Sequence, residues 1–351
     1  MDHHELVNVR LSDNGTSIIV LDQTLLPNEV KYVEVETISD MYDAIATLQV
    51  RGAPAIGIFA AYSLYIIARH SRAQNFRDFR DDILKNSAVL SYARPTAVNL
   101  RKQLKRMEAL VDKLAGAPIP EIVEALRIEA ETIREEDVQM CRAISENGLK
   151  LIKDGYGVLT YCNTGPLATS RYGTGIGPLL LAKERDWDLS IYCCETRPLL
   201  QGARLTTFEF TNAGINCTLL CDNMASIAMS EGLIDAVFVG CDRVARNGDV
   251  ANKVGTSGLA ILAWHYKIPF YVFCPSSSYD PECMTGGEIE IEMRSPAEIK
   301  ELYFNNPVAP SSVKCYNPSF DVTSGKLITA IVTEKGICKA PVDKSLHKLL
   351  K

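Results

Sequence analysis

Histidine is scarce in this chain. The five in 351 residues are His3, His4, His70, His265 and His347. Three stand near the termini, and His265 lies in the apolar run 259–266. Any acid–base chemistry therefore falls to carboxylates or thiols, whose pKa values burial can move toward neutrality. Metal-ligand spacing is missing too. The 11 cysteines contain no CxxC pair, only Cys193-Cys194 and the strand-period pair Cys217 and Cys221, which indicates neither a zinc site nor a disulfide framework. Basic blocks are also absent: 37 Lys+Arg against 43 Asp+Glu give a net charge of -6. Without clustered positive charge there is no footprint for a phosphate backbone, so nucleic acid is not expected as a partner. No apolar run reaches the roughly 20 residues that cross a bilayer. The longest, 53–68, is interrupted by Gly57 and Ser63 and reads as a buried helix. The start MDHHELVNVR has no apolar signal region, and buried thiols suit a reducing compartment, so the expected location is the cytoplasm.

What is present is ordinary globular composition, 47% hydrophobic and 23% charged, with length enough for two domains. The first third reads as helical after a short β start at 17–21 and 29–35. A stripe of Ile38, Met41, Ile45 and Leu48 follows, then the buried helix, then helical patterns over 76–87, 97–114 and 121–152. Gly116-Ala117-Pro118-Ile119-Pro120 breaks the last two patterns and marks the expected domain boundary, giving domains 1–118 and 119–351. From Gly157 onward, short apolar runs alternate with helices, as in a parallel sheet with crossover helices. Six runs are plain, 158–162, 189–194, 217–221, 236–241, 270–274 and 327–333, each followed by a polar or turn residue. The expected fold is α/β: a Rossmann-like parallel sheet in the C-terminal domain, with a smaller, mostly helical N-terminal domain.

Ligands of open α/β sheets bind outside the carboxyl ends of the strands. Asp242 stands at one such end and opens the loop GCDRVARNGDVANKVGT, 240–256, whose polar density exceeds what a connection needs. Cys162 ends another strand and leads into Asn163-Thr164-Gly165, where a thiol can be activated or can simply pack; the two readings stand level. Arg51-Gly52-Ala53-Pro54 opens the buried helix. Pro54 suits a first helical turn, and free amides beside a guanidinium can hold a phosphate. A solvated arginine at a helix end accounts for Arg51 equally well. Arg94-Pro95-Thr96 repeats the theme more weakly. In the segment 195–204, Gln201 can hydrogen-bond sugar hydroxyls, while Arg197 and Arg204 can pair with Glu195. Gly173-Thr174-Gly175-Ile176-Gly177 imitates a dinucleotide fingerprint, but it does not occupy the first strand-to-helix turn, so a nicotinamide cofactor is not expected.

RGAPAIG at 51–57, YCNTG at 161–165, ETRPLLQGARLT at 195–206, DNMA at 222–225 and the 240–256 segment together resemble the methylthioribose-1-phosphate isomerases, nearly end to end. That family is similar in turn to ribose-1,5-bisphosphate isomerases and to regulatory subunits of a translation-initiation exchange factor, so fold likeness does not decide function. The resemblance implies an aldose-to-ketose isomerase of methionine salvage, acting on 5-methylthioribose 1-phosphate as a homodimer without metal or organic cofactor. It places the catalytic pair on Cys162 and Asp242. Substrate contacts fall on Arg51, Gly52, Ala53, Arg94, Gln201, Asn252 and Lys253. Tyr161 and Thr164 depart from the family's usual His and Ala, which keeps a paralogue acting on 5-deoxyribose 1-phosphate, or on ribose 1,5-bisphosphate, as the alternative. A non-catalytic sugar-phosphate-binding subunit is the rival from another class.

Overall fold

A computed structural model describes residues 6–95 and 97–350. His3, His4 and Thr96, named above, lie outside the described residues. The chain divides into two compact units, one formed by residues up to Gln139 together with Pro166–Arg171, the other by Met140–Gly165 and Tyr172 onward.

In the first unit β1 (Val9–Leu11), β2 (Ile18–Leu21) and β3 (Tyr32–Val35) form an antiparallel sheet. The short β start was legible as β2 and β3; β1, with only three residues, was not. Helices α1 (Ile38–Ala46), α2 (Ala53–His70), α3 (Phe76–Ala93) and α4 (Val98–Lys113) follow. Thr37 and Asn75 cap α1 and α3, each side chain accepting a first-turn amide. On α4 the buried residues Leu100, Leu104, Met107 and Val111 recur at helical spacing and give it one core-facing stripe. Helix α2 is buried on nearly every face, so its apolar run is explained by enclosure within a helical core.

Helix α5 (Ile119–Leu149) is continuous through the division of the chain at Gln139 and Met140. The Gly116–Pro120 break separates α4 from α5 and so lies within the first unit. A helix can carry the chain from one core to another without a loop, and then no turn signal marks the passage. Pro166–Arg171 returns to the first unit. There the buried Asn8 amide donates to the carbonyls of Pro166, Leu167 and Thr169, and Gln23 donates to Leu167. The amide and hydroxyl of Ser170 donate to Asp137.

The second unit holds a seven-stranded sheet. Its strands are β4 (Gly157–Tyr161), β5 (Ser190–Cys194), β6 (Cys217–Leu220), β7 (Ala236–Val239), and later β10 (Phe270–Phe273), β13 (Ala330–Thr333) and β14 (Gly336–Lys339). Their order is β14-β13-β10-β7-β4-β5-β6. The first six in chain order are parallel and are the six apolar runs read from the sequence; β14 adds an antiparallel edge. Central strands β4, β7 and β13 are buried at every residue, as sheets covered on both faces require. The crossovers include α6 (Gly177–Glu184), α7 (Thr207–Asn212), α8 (Ala225–Ser230) and α9 (Thr256–Tyr266).

One expectation is corrected. The 240–256 segment is not a loop: β8 (Arg243–Ala245) and β9 (Val250–Lys253) form a hairpin in a second sheet of order β11-β8-β9-β12. Its other strands are β11 (Tyr279–Asp280) and β12 (Phe320–Thr323). Asp249 holds the hairpin turn by accepting the amides of Gly286 and Gly325. Helices α10 (Ala297–Lys300) and α11 (Val342–Leu349) complete the chain. Among the described residues no helix is long and apolar enough to cross a membrane.

Candidate active site

The strand order reverses between β4 and β7, which pair from Val158 with Ala236 to Tyr161 with Val239. Such a switch point opens a crevice at the carboxyl ends of its two strands. Cys162 directly follows β4, and Asp242 follows β7 by three residues. The two acid–base candidates thus come from the strands that flank the crevice.

Cys162 does not continue the ladder. Its φ is 62°, a left-handed value that costs a residue with a β-carbon about 1–3 kcal/mol. Both of its backbone polar groups are taken by threonine hydroxyls. Its amide donates to Thr196 Oγ1 at 2.8 Å, and its carbonyl accepts from Thr206 Oγ1 at 2.6 Å. Thr196 passes its own proton to the carbonyl of Cys194 at 3.1 Å. The turn bearing Thr196 is held by Asp222, after β6, whose two oxygens accept the amides of Thr196 and Arg197 at 2.8 and 2.7 Å.

Gln201 precedes a five-residue π-helical turn, Gly202–Thr206, that runs into α7. Single π turns are frequent at functional sites because the wider turn re-aims side chains. Gly202 is required there: a β-carbon would lie 1.8 Å from the carbonyl oxygen of Cys194. Gln201 is 7% exposed, and its Oε1 has no hydrogen-bond partner among the described residues. A buried acceptor left in that condition costs about 1–3 kcal/mol, and a ligand hydroxyl would satisfy it.

Asp242 is exposed, and its amide donates to Ala251 across the hairpin at 3.0 Å. On β9 the buried Asn252 donates to Thr256 Oγ1 at 2.9 Å, and Lys253 Nζ donates to the Ser319 carbonyl at 2.9 Å while lying 4.7 Å from the Phe320 ring centroid. Asp321, unremarked in the sequence, accepts the amides of Gly255 and Ser257 and so caps the start of α9. Burial is the largest influence on its carboxyl and raises its pKa, against the lowering effect of those amides.

The two departures from the family motif, buried Tyr161 and half-buried Thr164, are packing features. Tyr161, 3% exposed, donates its hydroxyl to the Val254 carbonyl at 2.9 Å, and burial raises its pKa. Gly255, at φ 105°, makes room for it. Thr164 is accommodated likewise: its Cγ2 would lie 2.4 Å from a β-carbon on Gly240, and its Oγ1 2.7 Å from one on Gly175. Neighbouring thiols are held protonated: burial pushes Cys194 up to about 12 and raises Cys193 and Cys241. Among the described residues no three His, Cys, Asp or Glu side chains are grouped as metal ligands.

Arg51, Gly52, Ala53 and Arg94 belong to the first unit. Gly52, at φ 94°, is the N-cap of α2, with Pro54 in the first turn. A β-carbon on it would fall 2.5 Å from the backbone of Ala168, in the returning segment, so only glycine fits. Half-buried Arg51 stands beside this helix start, and Arg94 is the C-cap of α3. Cys162, Gln201, Asp242, Asn252 and Lys253 belong to the second unit.

The model of the Initiation factor 2 subunit family matches residues 49–340. The chain is 53% identical to the methylthioribose-1-phosphate isomerase of Symbiobacterium thermophilum, over 98% of this chain and 96% of that one. It is 50% identical to the 5-deoxyribose 1-phosphate isomerase of Clostridium botulinum, over 98% and 99%. A crystal structure of 5-methylthioribose 1-phosphate isomerase from Pyrococcus horikoshii OT3 is similar with a TM-score of 0.92 at 38% identity, covering 99% of each chain.

Proposed function

The chain belongs to the Initiation factor 2 subunit family, and from that premise we propose that it is an aldose 1-phosphate isomerase converting 5-methylthioribose 1-phosphate to 5-methylthioribulose 1-phosphate. The observation that carries the reading is the placement of Cys162 and Asp242 after the two paired strands of the switch point. A binding subunit has no use for an acid and a base disposed in this way.

The reaction makes a definite demand. A sugar whose anomeric oxygen carries phosphate cannot equilibrate with a free aldehyde, so the ring opens with the phosphate still attached. The bond from C1 to the ring oxygen breaks, the ring oxygen gains a proton, hydrogen moves from C2 to C1, and the C2 hydroxyl becomes the ketone. In our reading Cys162 donates to the ring oxygen and Asp242 takes the proton on the C2 side. Arg51, Arg94 and the first amides of α2, at Gly52 and Ala53, hold the phosphate. Gln201, Asn252 and Lys253 fix the sugar. Ribose 1,5-bisphosphate would need further cations for its second phosphate and ranks last.

The substrate tail is the remaining choice, and the relative acting on 5-deoxyribose 1-phosphate, 50% identical, gives the second reading its weight. A methylthio group and a hydrogen differ only by apolar contacts of about 1–3 kcal/mol, or roughly 10–200-fold. We also propose a homodimer in the cytoplasm. Exposed Ile227 on α8 and Ile261 and Trp264 on α9 are apolar surface for a second copy to cover, and all 11 cysteines are free thiols. Steady-state kinetics on the two sugar phosphates test the reading, with light scattering on the same preparation for the dimer. Turnover of methylthioribose 1-phosphate with the higher kcat/KM supports it, the reverse preference selects the deoxyribose reading, and turnover of neither sinks both. Deuterium at product C1 in heavy water identifies a proton route over a direct hydride shift.

A further inference from the structure

Both backbone hydrogen-bonding groups of Cys162 are engaged by side chains, and the carbonyl is held by the less obvious one. Thr206 is fully buried. Its single hydroxyl proton goes to the Cys162 carbonyl at 2.6 Å, while its oxygen accepts from Asn163 Nδ2 at 3.1 Å. The same Asn163 amide donates to the carboxylate of Glu209, 3% exposed, which stands on α7 just beyond the π turn. Gly165 leaves space for that carboxylate: a β-carbon there would lie 2.3 Å from Glu209 Oε2. A buried carboxylate is expensive to enclose, and here it anchors the side chain next to the reactive thiol.

From these contacts we infer that Thr206, backed by Asn163 and Glu209, is a positioning residue of the reaction. Its hydroxyl holds Cys162 in its left-handed turn and thereby sets the direction of the thiol. The inference rests on the isomerase reading for its catalytic consequence. A left-handed residue with a β-carbon relaxes to an extended or right-handed conformation unless its surroundings hold it. Ladder partners cannot do so at this residue, because β4 ends at Tyr161. The wide π turn carries Thr206 to the Cys162 carbonyl, as Thr196 reaches its amide from the other side. Thr206 is enclosed and spends its one hydroxyl proton on the Cys162 carbonyl, so its effect is on orientation.

The test is the pair Thr206→Val, which keeps the shape and removes the hydroxyl, and Thr206→Ser, which keeps the hydroxyl. Misplacing a reacting group by about 1 Å costs on the order of 100-fold. Thr206→Val is therefore expected to lower kcat by about 10–100-fold with KM within about threefold, and Thr206→Ser to restore most of the rate. A folded Thr206→Val enzyme with wild-type kcat overturns the inference, as does Thr206→Ser failing equally. Should Thr206→Val not fold, Glu209→Gln, which weakens the same anchor, is expected to lower kcat in the same sense. A second readout needs no turnover: iodoacetamide labelling followed peptide by peptide. Release of the clamp should speed labelling of Cys162, 9% exposed, more than that of buried Cys194; parallel acceleration of both would mean general loosening and overturn the inference. If the wild type turns over neither sugar phosphate, the isomerase reading fails while the labelling comparison still decides the clamp.

Discussion

The hydroxyl of Tyr161 stands 2.1 Å from where a β-carbon on residue 255 would have to be, and the residue there is Gly255. The ring fills the space under the turn that follows Asn252 and Lys253, and its hydroxyl holds the Val254 carbonyl. The tyrosine that stands where the resemblance implies histidine therefore acts on the turn it supports. Its influence belongs to the placing of Asn252 and Lys253.

Gly255→Ala is expected to destabilise the fold by about 2 kcal/mol or more, from the left-handed φ and the contact with Tyr161. Combining it with Tyr161→Phe removes the atom at 2.1 Å and leaves the ring carbon at 2.7 Å. The double variant should recover part of the loss. A thermodynamic cycle from denaturant unfolding checks this, and strictly additive effects would deny the contact.

Cys162→Ala and Asp242→Asn are each expected to lower kcat/KM by about 100-fold or more, as for loss of a positioned acid or base. Circular dichroism should show both folded. Asp242→Asn bears hardest on the assignment, because its side chain is exposed and the hydrogen bond from its backbone amide to the Ala251 carbonyl survives the change. Wild-type turnover in either variant would remove that residue from the chemistry.

Stability is expected to fall above about pH 9. Burial is the first cause that holds Cys194 up to about 12 and Cys338 up to about 11, whereas thiols of the unfolded chain titrate near about 8.5. Between those values the unfolded chain has released protons that the folded chain keeps, so rising pH favours unfolding. The contribution is fully present below about pH 8 and is lost progressively toward pH 11–12. Urea midpoints from pH 8 to 10.5 should decline, with a shallower decline in Cys194→Ala and Cys338→Ala than in the wild type. Flat wild-type midpoints would contradict the prediction.

The six parallel strands could be read from the chain because sheets covered on both faces need uninterrupted apolar runs, and 236–239 and 330–333 are such runs. Their carboxyl ends, with Cys162 and Asp242, followed directly. The hairpin of β8 and β9 was hidden for the opposite reason: Arg243, Asn247, Asp249 and Lys253 interrupt any apolar alternation, so polar residues disguised two strands as a loop. Asp321 gave no local signal, since its carboxylate caps a helix 64 residues earlier in the chain. Thr196 and Thr206 were invisible because a threonine that holds a backbone turn looks like any other threonine. The one hint was their place within the motif ETRPLLQGARLT, 195–206.

The short return of Pro166–Arg171 to the first unit bears on how the protein can be taken apart. A fragment ending at Gln139 would carry Asn8, Gln23 and Asp137 without the carbonyls, amide and hydroxyl they bind, and Gly52 without the backbone it was shaped to admit. The N-terminal unit is therefore not a transferable module. Grafts or truncations made at a single cut sever a structure that the chain enters twice.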